Sequence, residues 1–297
     1  MNDVHVEVGG RTLKISNLDK VLYPRTGTTK GEVLNYYAQV SGVLLPHVRD
    51  RCVTRIRWPH GVADKSFFEK NVPAGTPSWV RTARVPTTGS RAKNSTSDTL
   101  VFPIIEDLAT LTWLVNLAAL ELHVHQWTVT RTGAPRKPDR LVIDLDPGEP
   151  ASLHECAQVA LLVRGKLAER DLDARPVTSG SKGLHLYAAV PRSRDSDGTT
   201  ALAKEVAEEL QAEHPKLVTA TMTKARRGGK VFLDWSQNAG SKTTVSPYSL
   251  RGRETPTVAT PLTWTEVEEG ADDPLGLEQF RFEQVLERVA AHGDLFT

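Results

Sequence analysis

The chain has 297 residues with 39% hydrophobic and 25% charged residues, and its net charge of +1 excludes a protein that is basic all over. No apolar run approaches the ~18 residues of a membrane span, and the first residues lack the basic start and apolar core of a signal peptide, so we expect a cytoplasmic protein. Cys52 and Cys156 lie far apart and indicate neither a disulfide framework nor a zinc site.

The amino-terminal part is predicted to begin with a hairpin and a helix. VHVEVGGRTLKIS alternates apolar and polar residues around Gly9-Gly10, which predicts two antiparallel strands. Thr29 and Glu32 form a capping-box pattern, and the apolar residues after them recur at helical spacing as far as Pro46. We therefore expect the first helix to begin after Thr29 and to end at Pro46.

The following part is less regular and is basic. Residues 71–98 are rich in Pro, Thr, Ser and Gly, which predicts an irregular surface segment. A second helix is predicted over 107–120, and the alternation in ELHVHQWTV predicts one strand after it. Residues 1–100 hold 15 Lys or Arg against 8 Asp or Glu, which favours local contact with a polyanion. A solvated basic face without a partner explains the same charges.

From residue 141 onward the order of elements is clearer. LVIDLD is a predicted strand, and the helix SLHECAQVALLVRGKLAERDL follows with a capping box from Ser152 to Glu155. ARPVTS and GLHLYAAV are predicted strands, TALAKEVAEELQAEH a helix and KVFLDW a last strand. This is β-α-β-β-α-β, the pattern of ferredoxin-like folds, in which the first and last strands are neighbours.

Two acids lie two positions apart in LVIDLDPGEP. Asp144 and Asp146 share one face of the predicted strand, where at roughly 6 Å and an effective dielectric of about 20 they repel by about 3 kcal/mol. The predicted topology places Asp234 opposite them. Three carboxylates suit divalent cations, and two ions about 4 Å apart promote phosphoryl transfer. The structural alternative is an Asp that caps the Pro-Gly turn.

Two Gly-Ser-Lys turns and a basic loop surround these acids in the predicted topology. VTSGSKGLHLY contains Ser179 and Lys182, the second turn ends at Lys242, and YSLRGR adds Arg251. Small residues let backbone N–H groups approach a phosphate, and cations hold it. An ordinary Gly-Ser turn with an exposed Lys is the alternative, and no Walker A motif is present. KARRGGK, 224–230, is expected to be a mobile basic loop that contacts the terminus of a nucleic-acid strand.

Basic and aromatic residues alternate in RIRWPHG and KSFFEK. Arg57 is suited to neutralising phosphates, and Phe67 with Phe68 to stacking bases, although a Phe-Phe pair is also typical of a core. His123 and His125 in ELHVHQW could face one metal ion, although a structural role explains two such histidines as well. These segments favour a nucleic-acid contact.

Taken together, these motifs resemble the polymerase domain of bacterial ligase D, which belongs to the archaeo-eukaryotic primase superfamily. The resemblance covers about Leu13 to Phe296. The motifs that carry it are, in chain order, DKVLYP with TGTTK, RWPHGV with FFEK, LELHVHQW, LVIDLDPGE, VTSGSKGLHLY, TMTK, VFLDWSQNAGSKTT and PYSLRGR.

The resemblance implies an α+β fold of the archaeo-eukaryotic primase type in a single catalytic domain, 1–297. A ferredoxin- or RRM-like catalytic module, 141–260, is expected to pack on an amino-terminal α/β portion, 1–140. A helical tail, 261–297, follows the module. The implied activity is that of a template-directed, DNA-dependent nucleotidyltransferase that fills gaps and extends ends in non-homologous end joining, with DNA or RNA as product.

The resemblance also implies roles at the matching positions. Two Mn²⁺ or Mg²⁺ ions are expected on the three acids, and ribonucleotides are expected to be favoured. The residues implied to hold the nucleotide are Ser179, Lys182, Lys242 and Arg251 at the triphosphate, His123 near the sugar, and Phe67 and Phe68 beside the base. The residues implied to contact DNA are Lys20 and Lys30 at a 5′-phosphate, and Arg227 near the primer end. Arg57 is expected to contact DNA on the strength of its charge and position.

Lys30 also has a physical basis for holding a phosphate. It lies in the first turn of the predicted helix, where free N–H groups and the helix dipole favour an anion. The expected partners are DNA ends or gaps with a 5′-phosphate, NTPs or dNTPs, and Ku and a DNA ligase. We expect a monomer that acts at the bacterial nucleoid without membrane contact.

Three other functions fit the same residues. A primase would start chains de novo with the same acids. A metal-dependent nuclease or phosphodiesterase would shorten DNA instead of lengthening it. A non-catalytic module that binds DNA ends would need only the basic and aromatic residues, and its binding would not depend on Asp144.

Overall fold

The computed structural model describes residues 3–86 and 99–297. The chain divides into two compact units, each made of separate stretches of sequence. The first unit comprises Met1–Arg136, Val245–Val258 and Arg281–Gly293. The second unit comprises Lys137–Thr244, Ala259–Phe280 and Asp294–Thr297. In the part of the chain that is described, no helix has the length and apolar character needed to cross a bilayer.

The described residues form strands, α-helices and short 3-10 helices. The strands are β1 (Val4–Val8), β2 (Arg11–Ile15), β3 (Val21–Tyr23), β4 (Thr28–Thr29), β5 (Val53–Arg57), β6 (Phe67–Glu69), β7 (Thr82–Pro86), β8 (Thr99–Pro103), β9 (Ala119–Val124), β10 (Trp127–Val129), β11 (Pro135–Pro138), β12 (Arg140–Pro147), β13 (Ala174–Thr178), β14 (Leu184–Ala189), β15 (Val218–Thr219), β16 (Val231–Asp234) and β17 (Thr244–Val245). The α-helices are α1 (Lys30–Val48), α2 (Leu108–Asn116), α3 (Leu153–Ala168), α4 (Ser196–Glu213), α5 (Trp264–Asp272) and α6 (Phe282–His292). The 3-10 helices include Lys224–Arg226 and Trp235–Asn238.

The predicted first hairpin and first helix are present. Strands β1 and β2 pair antiparallel around the predicted Gly-Gly turn. Thr29 caps α1, with Glu32 N donating to Thr29 Oγ1 at 3.2 Å and Thr29 N donating to Glu32 Oε2 at 2.7 Å. The predicted end at Pro46 is wrong, because the helix continues to Val48. A proline this close to the helix end removes one N–H donor without preventing the last turn.

Three other boundaries in the first unit differ from the prediction. Helix α2 ends at Asn116 instead of residue 120, because an apolar run alone does not separate a helix from a buried strand. ELHVHQWTV forms two strands, β9 and β10, instead of one. The segment 71–98, predicted to be irregular, contains β7. Residues 87–98 of that segment lie outside the described residues.

Strands β9, β5 and β6 of the first unit belong to a four-stranded sheet in the order β17-β9-β5-β6. Its central strand β5 pairs antiparallel with β9 and with β6. Residues 245–258 belong to this unit, and Ser246 N donates to Leu122 O at 2.8 Å. The expected catalytic module, 141–260, therefore shares residues 141–244 with the second unit, while most of its last part lies in the first.

The second unit contains the predicted β-α-β-β-α-β arrangement. Its sheet has the order β13-β14-β12-β16-β15, so the first and last strands of the pattern, β12 and β16, are neighbours. They pair antiparallel with Asp144 directly opposite Asp234. The additional strand β15 extends the sheet parallel to β16. The prediction that Asp234 faces the paired acids is confirmed at the level of strand register.

One face of this sheet is covered by helices, and the other carries the polar residues. Leu141, Ile143 and Leu145 of β12 are fully buried with apolar residues of α3 and α4. Each such side chain contributes about 1.5–3 kcal/mol on burial. Because side chains alternate along a strand, Asp144 and Asp146 lie on the opposite face. The apolar residues therefore fix which side of the sheet carries the acids.

Gly183 precedes β14 and lies against the backbone of β12. A Cβ atom at this position would come within 1.9 Å of Leu145 O. We expect Gly183→Ala to lower the free energy of unfolding by more than about 2 kcal/mol, because the clash is with backbone in the middle of the sheet. Urea unfolding followed by circular dichroism measures this change.

Gly165→Ala is the matched control, because Gly165 lies inside α3 and no described atom beyond its chain neighbours and the backbone of its own helix stands within 4 Å of its Cβ position. Alanine there is expected to stabilise the protein by about 0.5–1 kcal/mol through helix propensity. Equal unfolding midpoints for Gly183→Ala and wild type would contradict the close contact with β12.

Candidate active site

Three carboxylates occur together on two neighbouring inner strands of the second unit's sheet. Asp144 and Asp234 are register partners on β12 and β16, and Asp146 follows two residues after Asp144 on the same face. Ser236 N and Ser236 Oγ donate to Asp234 Oδ1 at 3.0 and 2.6 Å, which fixes one of its oxygens. The strand pairing thus brings the three predicted acids to one place.

The charge of these acids is poorly compensated. Within the described residues, no Lys or Arg lies within ion-pair distance of any of the three. Burial and the neighbouring Asp144 carboxylate raise the pKa of Asp146 to about 6, and Asp234 raises it further, while the charges of His185 and Arg227 oppose this increase. The Asp146 side chain is exposed to solvent, so a cation could reach it. A bound cation would reverse the part of this pKa shift that comes from repulsion between the carboxylates.

Gln237 lies between two of the acids. Its Nε2 donates to Asp234 Oδ2 at 3.1 Å and approaches Asp144 Oδ2 at 3.5 Å. In this arrangement no group of three His, Cys, Asp or Glu side chains is placed to hold one metal ion, as far as residues 3–86 and 99–297 are concerned. The donor chemistry, three carboxylates that none of the described Lys or Arg residues pairs with, nevertheless fits a hard divalent cation.

His185 also belongs to this site and was missed by the sequence analysis. It is the register partner of Asp144 on β14, and its Nε2 lies 3.3 Å from Asp144 Oδ1. The ring is buried, and its Nδ1 has no hydrogen-bond partner within the described structure. The signal was present in GLHLY, where Leu184 and Leu186 belong to the core and the residue between them must face the acids.

The predicted phosphate turn after β13 is internally braced. Ser179 Oγ accepts hydrogen bonds from Ser181 N and Gly183 N, both at 3.2 Å, and Ser179 N donates to Gly183 O at 2.9 Å. Lys182 is exposed, and its Nζ donates to Glu149 Oε1 at 3.0 Å. The turn therefore carries one ammonium group, that of Lys182, and its Gly183 lies against β12, the strand whose end carries two of the acids.

The basic segment 224–230 packs on the turn that follows the acids. A Cβ atom on Gly148 would overlap Arg227 O, at 2.0 Å, and Gly148 N donates to Lys230 O at 2.8 Å. The Arg227 guanidinium lies 3.5 Å from the centre of the Phe232 ring, and its NH2 group donates to Met222 O. The segment contains a 3-10 helix, and its mobility stays a prediction.

Lys242 lies in the second Gly-Ser-Lys turn, also in the second unit. Its backbone N donates to Ala239 O at 2.9 Å, and its side chain is exposed. The cations predicted at a triphosphate therefore divide between the units, because Lys182 and Lys242 belong to the second unit and Arg251 to the first.

In the first unit, Glu121 connects two of the predicted nucleotide contacts. Its buried carboxylate accepts hydrogen bonds from His123 Nε2 at 2.7 Å and Gly252 N at 2.9 Å, and Arg251 Nε lies 3.3 Å away. Burial alone would raise the carboxyl pKa, but His123, Arg251 and the Gly252 N–H outweigh it and lower the pKa of Glu121 to about 2. The carboxylate can only accept, so His123 carries its proton on Nε2.

Sequence analysis also missed Glu121, although it stands two residues before His123 and so shares its strand face. His125, in contrast, is a core residue. Its ring packs on Phe102 and Trp127, its Nδ1 lies 3.3 Å from Cys52 O, and burial lowers its pKa to about 3. The structural explanation of His125 holds.

The aromatic pair of the first unit is exposed. Phe67 and Phe68 on β6 have relative exposures of 50% and 47%, so they are not core residues. Glu69 of the same strand forms ion pairs with two arginines of β5, Oε2 with Arg55 Nη2 at 3.2 Å and Oε1 with Arg57 Nη1 at 2.7 Å. Arg57 also donates from Nε to Leu117 O at 2.6 Å. Two buried or half-buried arginines therefore hold the strand that presents the aromatic rings.

Lys20 and Lys30 lie close together, but the physical argument made for Lys30 is wrong. The first N–H groups of α1 are already used, since Lys30 N donates to Lys20 O and Gly31 N to Leu18 O, both at 2.8 Å. Lys30 is buried, and its Nζ donates to Ser16 O. Burial, together with the charge of Lys20, lowers the pKa of Lys30 to about 8.

Comparisons with known proteins agree with these features. A family model described as "LigD, primase-polymerase domain" matches residues 29–296. The "Multifunctional non-homologous end joining protein LigD" of Mycolicibacterium smegmatis is 47% identical over 283 residues, 95% of this chain and 35% of that protein. The "Bifunctional non-homologous end joining protein LigD" of Bacillus subtilis is 34% identical over 282 residues, 95% of this chain and 43% of that protein. The chain thus spans well under half of these relatives' length.

A solved structure is similar as well. The "Polymerase Domain from Mycobacterium tuberculosis Ligase D in complex with DNA" matches with a TM-score of 0.88 and 48% sequence identity, covering 95% of this chain and 96% of that chain.

The low pKa of Glu121 predicts an acid-dependent contribution to stability. A folded-state pKa below the unfolded value stabilises the protein above the unfolded pKa, and this contribution is lost as the pH falls towards 2. We expect Glu121→Gln to cost about 3 kcal/mol near neutral pH, and the difference from wild type to shrink between about pH 4.5 and pH 2. Urea unfolding at a series of pH values measures it.

Glu254→Gln is the control, because this carboxylate also pairs with an arginine, Arg25, but is exposed. Its free energy of unfolding should equal that of wild type at every pH. A Glu121→Gln variant whose stability difference stayed constant from neutral to acid pH would show that the carboxylate is not held by cations.

Proposed function

Because the chain belongs to the LigD primase-polymerase domain family, we propose that it fills gaps and extends ends by template-directed nucleotidyl transfer in non-homologous end joining. The resemblance and the predicted α+β fold of the archaeo-eukaryotic primase type are confirmed. Members of the family are nucleotidyltransferases that act on DNA. The single observation that carries the proposal is the placement of Asp144 opposite Asp234, beside the braced Ser179 turn.

DNA is the proposed polymeric substrate. The similar solved structure is a polymerase domain in complex with DNA, and Phe67 and Phe68 offer exposed rings of the kind on which bases stack. Arg57 is largely engaged by Glu69 and Leu117 O, so we assign it to holding the strand of the aromatic pair in addition to attracting the DNA backbone. Arg227, which lies beside the acid turn, is proposed to face the primer end.

Asp144, Asp146 and Asp234 would hold two Mn²⁺ or Mg²⁺ ions. When bound, such ions lower the pKa of a hydroxyl and neutralise a triphosphate, which promotes in-line displacement. The protein contributes the carboxylates, whose mutual repulsion favours cation binding, and His185, which contacts Asp144 at 3.3 Å. Gln237, which bridges Asp144 and Asp234, would have to give up part of its hydrogen bonding.

Cations and backbone donors are proposed to bind the triphosphate. Ser179 shapes the turn. Lys182 and Lys242, both exposed residues of the second unit, would supply ammonium groups. Arg251 would supply a planar, two-pronged donor, and its position against Glu121 is fixed by a 3.3 Å ion pair.

A preference for ribonucleotides is part of the proposal. His123 donates its Nε2 proton to Glu121, so Nδ1 is the acceptor nitrogen of the neutral ring. A ribose hydroxyl can donate to that nitrogen, whereas a deoxyribose lacks one such donor. The ordering of His123 by a buried carboxylate supports this role.

The family's biology suggests the remaining partners. The relatives' names connect LigD with non-homologous end joining, so Ku and a DNA ligase activity are proposed to act with this chain. We propose action as a monomer at the nucleoid, in the bacterial cytoplasm. A primase that starts chains de novo is the second candidate, because the same acids and turns would serve it.

Asp234→Asn tests the proposed reaction. The amide keeps an oxygen that can accept from Ser236 but removes the charge, so we expect templated incorporation of labelled NTP on gapped DNA to fall by at least about 1000-fold. The assay uses purified protein with Mn²⁺ and resolves products by length. Circular dichroism should show an unchanged fold.

Asp173→Asn is the control, because Asp173 is an exposed acid of the same unit and should be dispensable. Retained incorporation by Asp234→Asn would refute the assignment of the acids. Shortened DNA would identify a nuclease, products made without a primer would identify a primase, and DNA binding without any reaction would identify an end-binding module.

Lys20→Ala combined with Lys30→Ala tests the 5′-phosphate contact. The charges of Lys20 and Lys30 repel each other, and a doubly charged phosphate would offset this repulsion, so we expect affinity for gapped DNA with a 5′-phosphate to fall by about 10-fold or more. Fluorescence anisotropy with phosphorylated and unphosphorylated gaps measures the difference.

The unphosphorylated gap is the internal control, because its affinity should change much less. Lys14→Ala is the matched variant, since Lys14 is an exposed lysine of the same unit paired with Asp3. Equal binding of both gaps by wild type would reject the 5′-phosphate role.

A further inference from the structure

Residues 294–297 return to the second unit and place an aromatic ring on its sheet. Phe296 N donates to Asp294 Oδ1 at 3.0 Å and Thr297 Oγ1 donates to Asp294 O at 3.0 Å, so the segment forms a turn. The Phe296 ring meets the Tyr187 ring edge-on, with 5.2 Å between the ring centres. The last residues therefore contact the sheet through a defined ring pair.

Tyr187 lies on the face of the sheet that carries the acids. It is two residues after His185 on β14, so both side chains point away from the α3 and α4 face. The two rings are perpendicular, with centres 6.0 Å apart, and both are buried. His185 Nε2 in turn lies 3.3 Å from Asp144 Oδ1. A continuous series of contacts thus runs from Phe296 to the acid site.

Arg140 contacts two of the rings in this series, those of Tyr187 and Phe296. It begins β12, on the same face as Asp144, and only 8% of it is exposed. Its guanidinium lies 5.5 Å from the centre of the Tyr187 ring and 5.8 Å from the centre of the Phe296 ring. A cation held away from water is attracted to the faces of both rings, which fixes their relative position.

We propose that Phe296 is a positioning residue for the acid site, acting through Tyr187 and His185. This inference rests on the proposed function of Asp144. An empty space in a close-packed region costs van der Waals contacts. Removal of the Phe296 ring would therefore lead Tyr187 to turn towards the space. His185 then loses the ring edge that orients it, and its nitrogen moves relative to Asp144. The final residues of the chain are in this way coupled to cation binding.

Phe296→Ala in the full chain tests the proposal. We expect Mn²⁺ affinity, measured by electron paramagnetic resonance without nucleotide, to weaken by about 3- to 10-fold, below the effect typical of residues that directly orient metal ligands. The ¹⁵N resonances of the His185 ring, recorded without metal, should shift. In steady-state extension kcat should fall while KM for DNA stays unchanged. Phe296→Tyr, which keeps the ring, should restore all three.

Leu275→Ala is the control, because Leu275 lies in the same terminal part of the chain and is 90% exposed. It should match wild type in every measurement. A merely structural role for Phe296 would lower the melting temperature and leave the His185 resonances and Mn²⁺ affinity of the folded protein unchanged, and that result would overturn the proposal.

A double-mutant cycle separates action through Tyr187 from a parallel effect. The effects of Phe296→Ala and Tyr187→Leu on Mn²⁺ affinity should be strongly non-additive, whereas additive effects would overturn the proposed route. If wild-type protein extends DNA and the Phe296→Ala variant has the same Mn²⁺ affinity, His185 resonances and extension kinetics, this inference alone is refuted. Wild-type protein that neither binds Mn²⁺ nor extends DNA refutes the proposed function, and this inference with it.

Discussion

The register between β12 and β16 is the constraint on which the candidate site depends. It sets Asp144 opposite Asp234, so like charges repel across two hydrogen-bonded strands. The buried Leu and Ile residues of β12 on the opposite face make a slip costly, since a shift by one residue would turn the acids into the core. Hydrophobic burial therefore holds together charges that would otherwise separate.

The two units contain carboxylates whose pKa values are shifted in opposite directions. Glu121 is surrounded by His123, Arg251 and an N–H donor, and its pKa is lowered to about 2. Asp146 lies beside two further acids, and its pKa is raised to about 6. The compensated carboxylate orders neighbouring side chains. The Asp146 carboxylate, which is repelled by Asp144 and Asp234, can gain free energy from an added cation, as expected of a binding site.

Local patterns in the sequence predicted much of the fold, because they report local physics. The capping boxes at Thr29 and Ser152 and the β-α-β-β-α-β order are present in the structure. The end of α2 was misplaced, since apolar residues pack equally well in a helix or in a buried strand. The free N–H groups expected at Lys30 are occupied by carbonyls from residues 18–20. That contact depends on tertiary approach, which helix spacing does not encode.

Two motifs of the second unit are linked by close backbone contact rather than by flexibility alone. Gly183, in the Gly-Ser-Lys turn, lies against Leu145 O, and Gly148, after the acids, lies against Arg227 O. A side chain at either position would push a loop away from the end of β12. Gly183 and Gly148 are therefore required for the same reason, since they let the Gly-Ser-Lys turn and the basic segment approach the strand that carries the acids. His185 follows from this contact as well, because the turn that Gly183 allows leads directly into β14 and sets its register against Asp144.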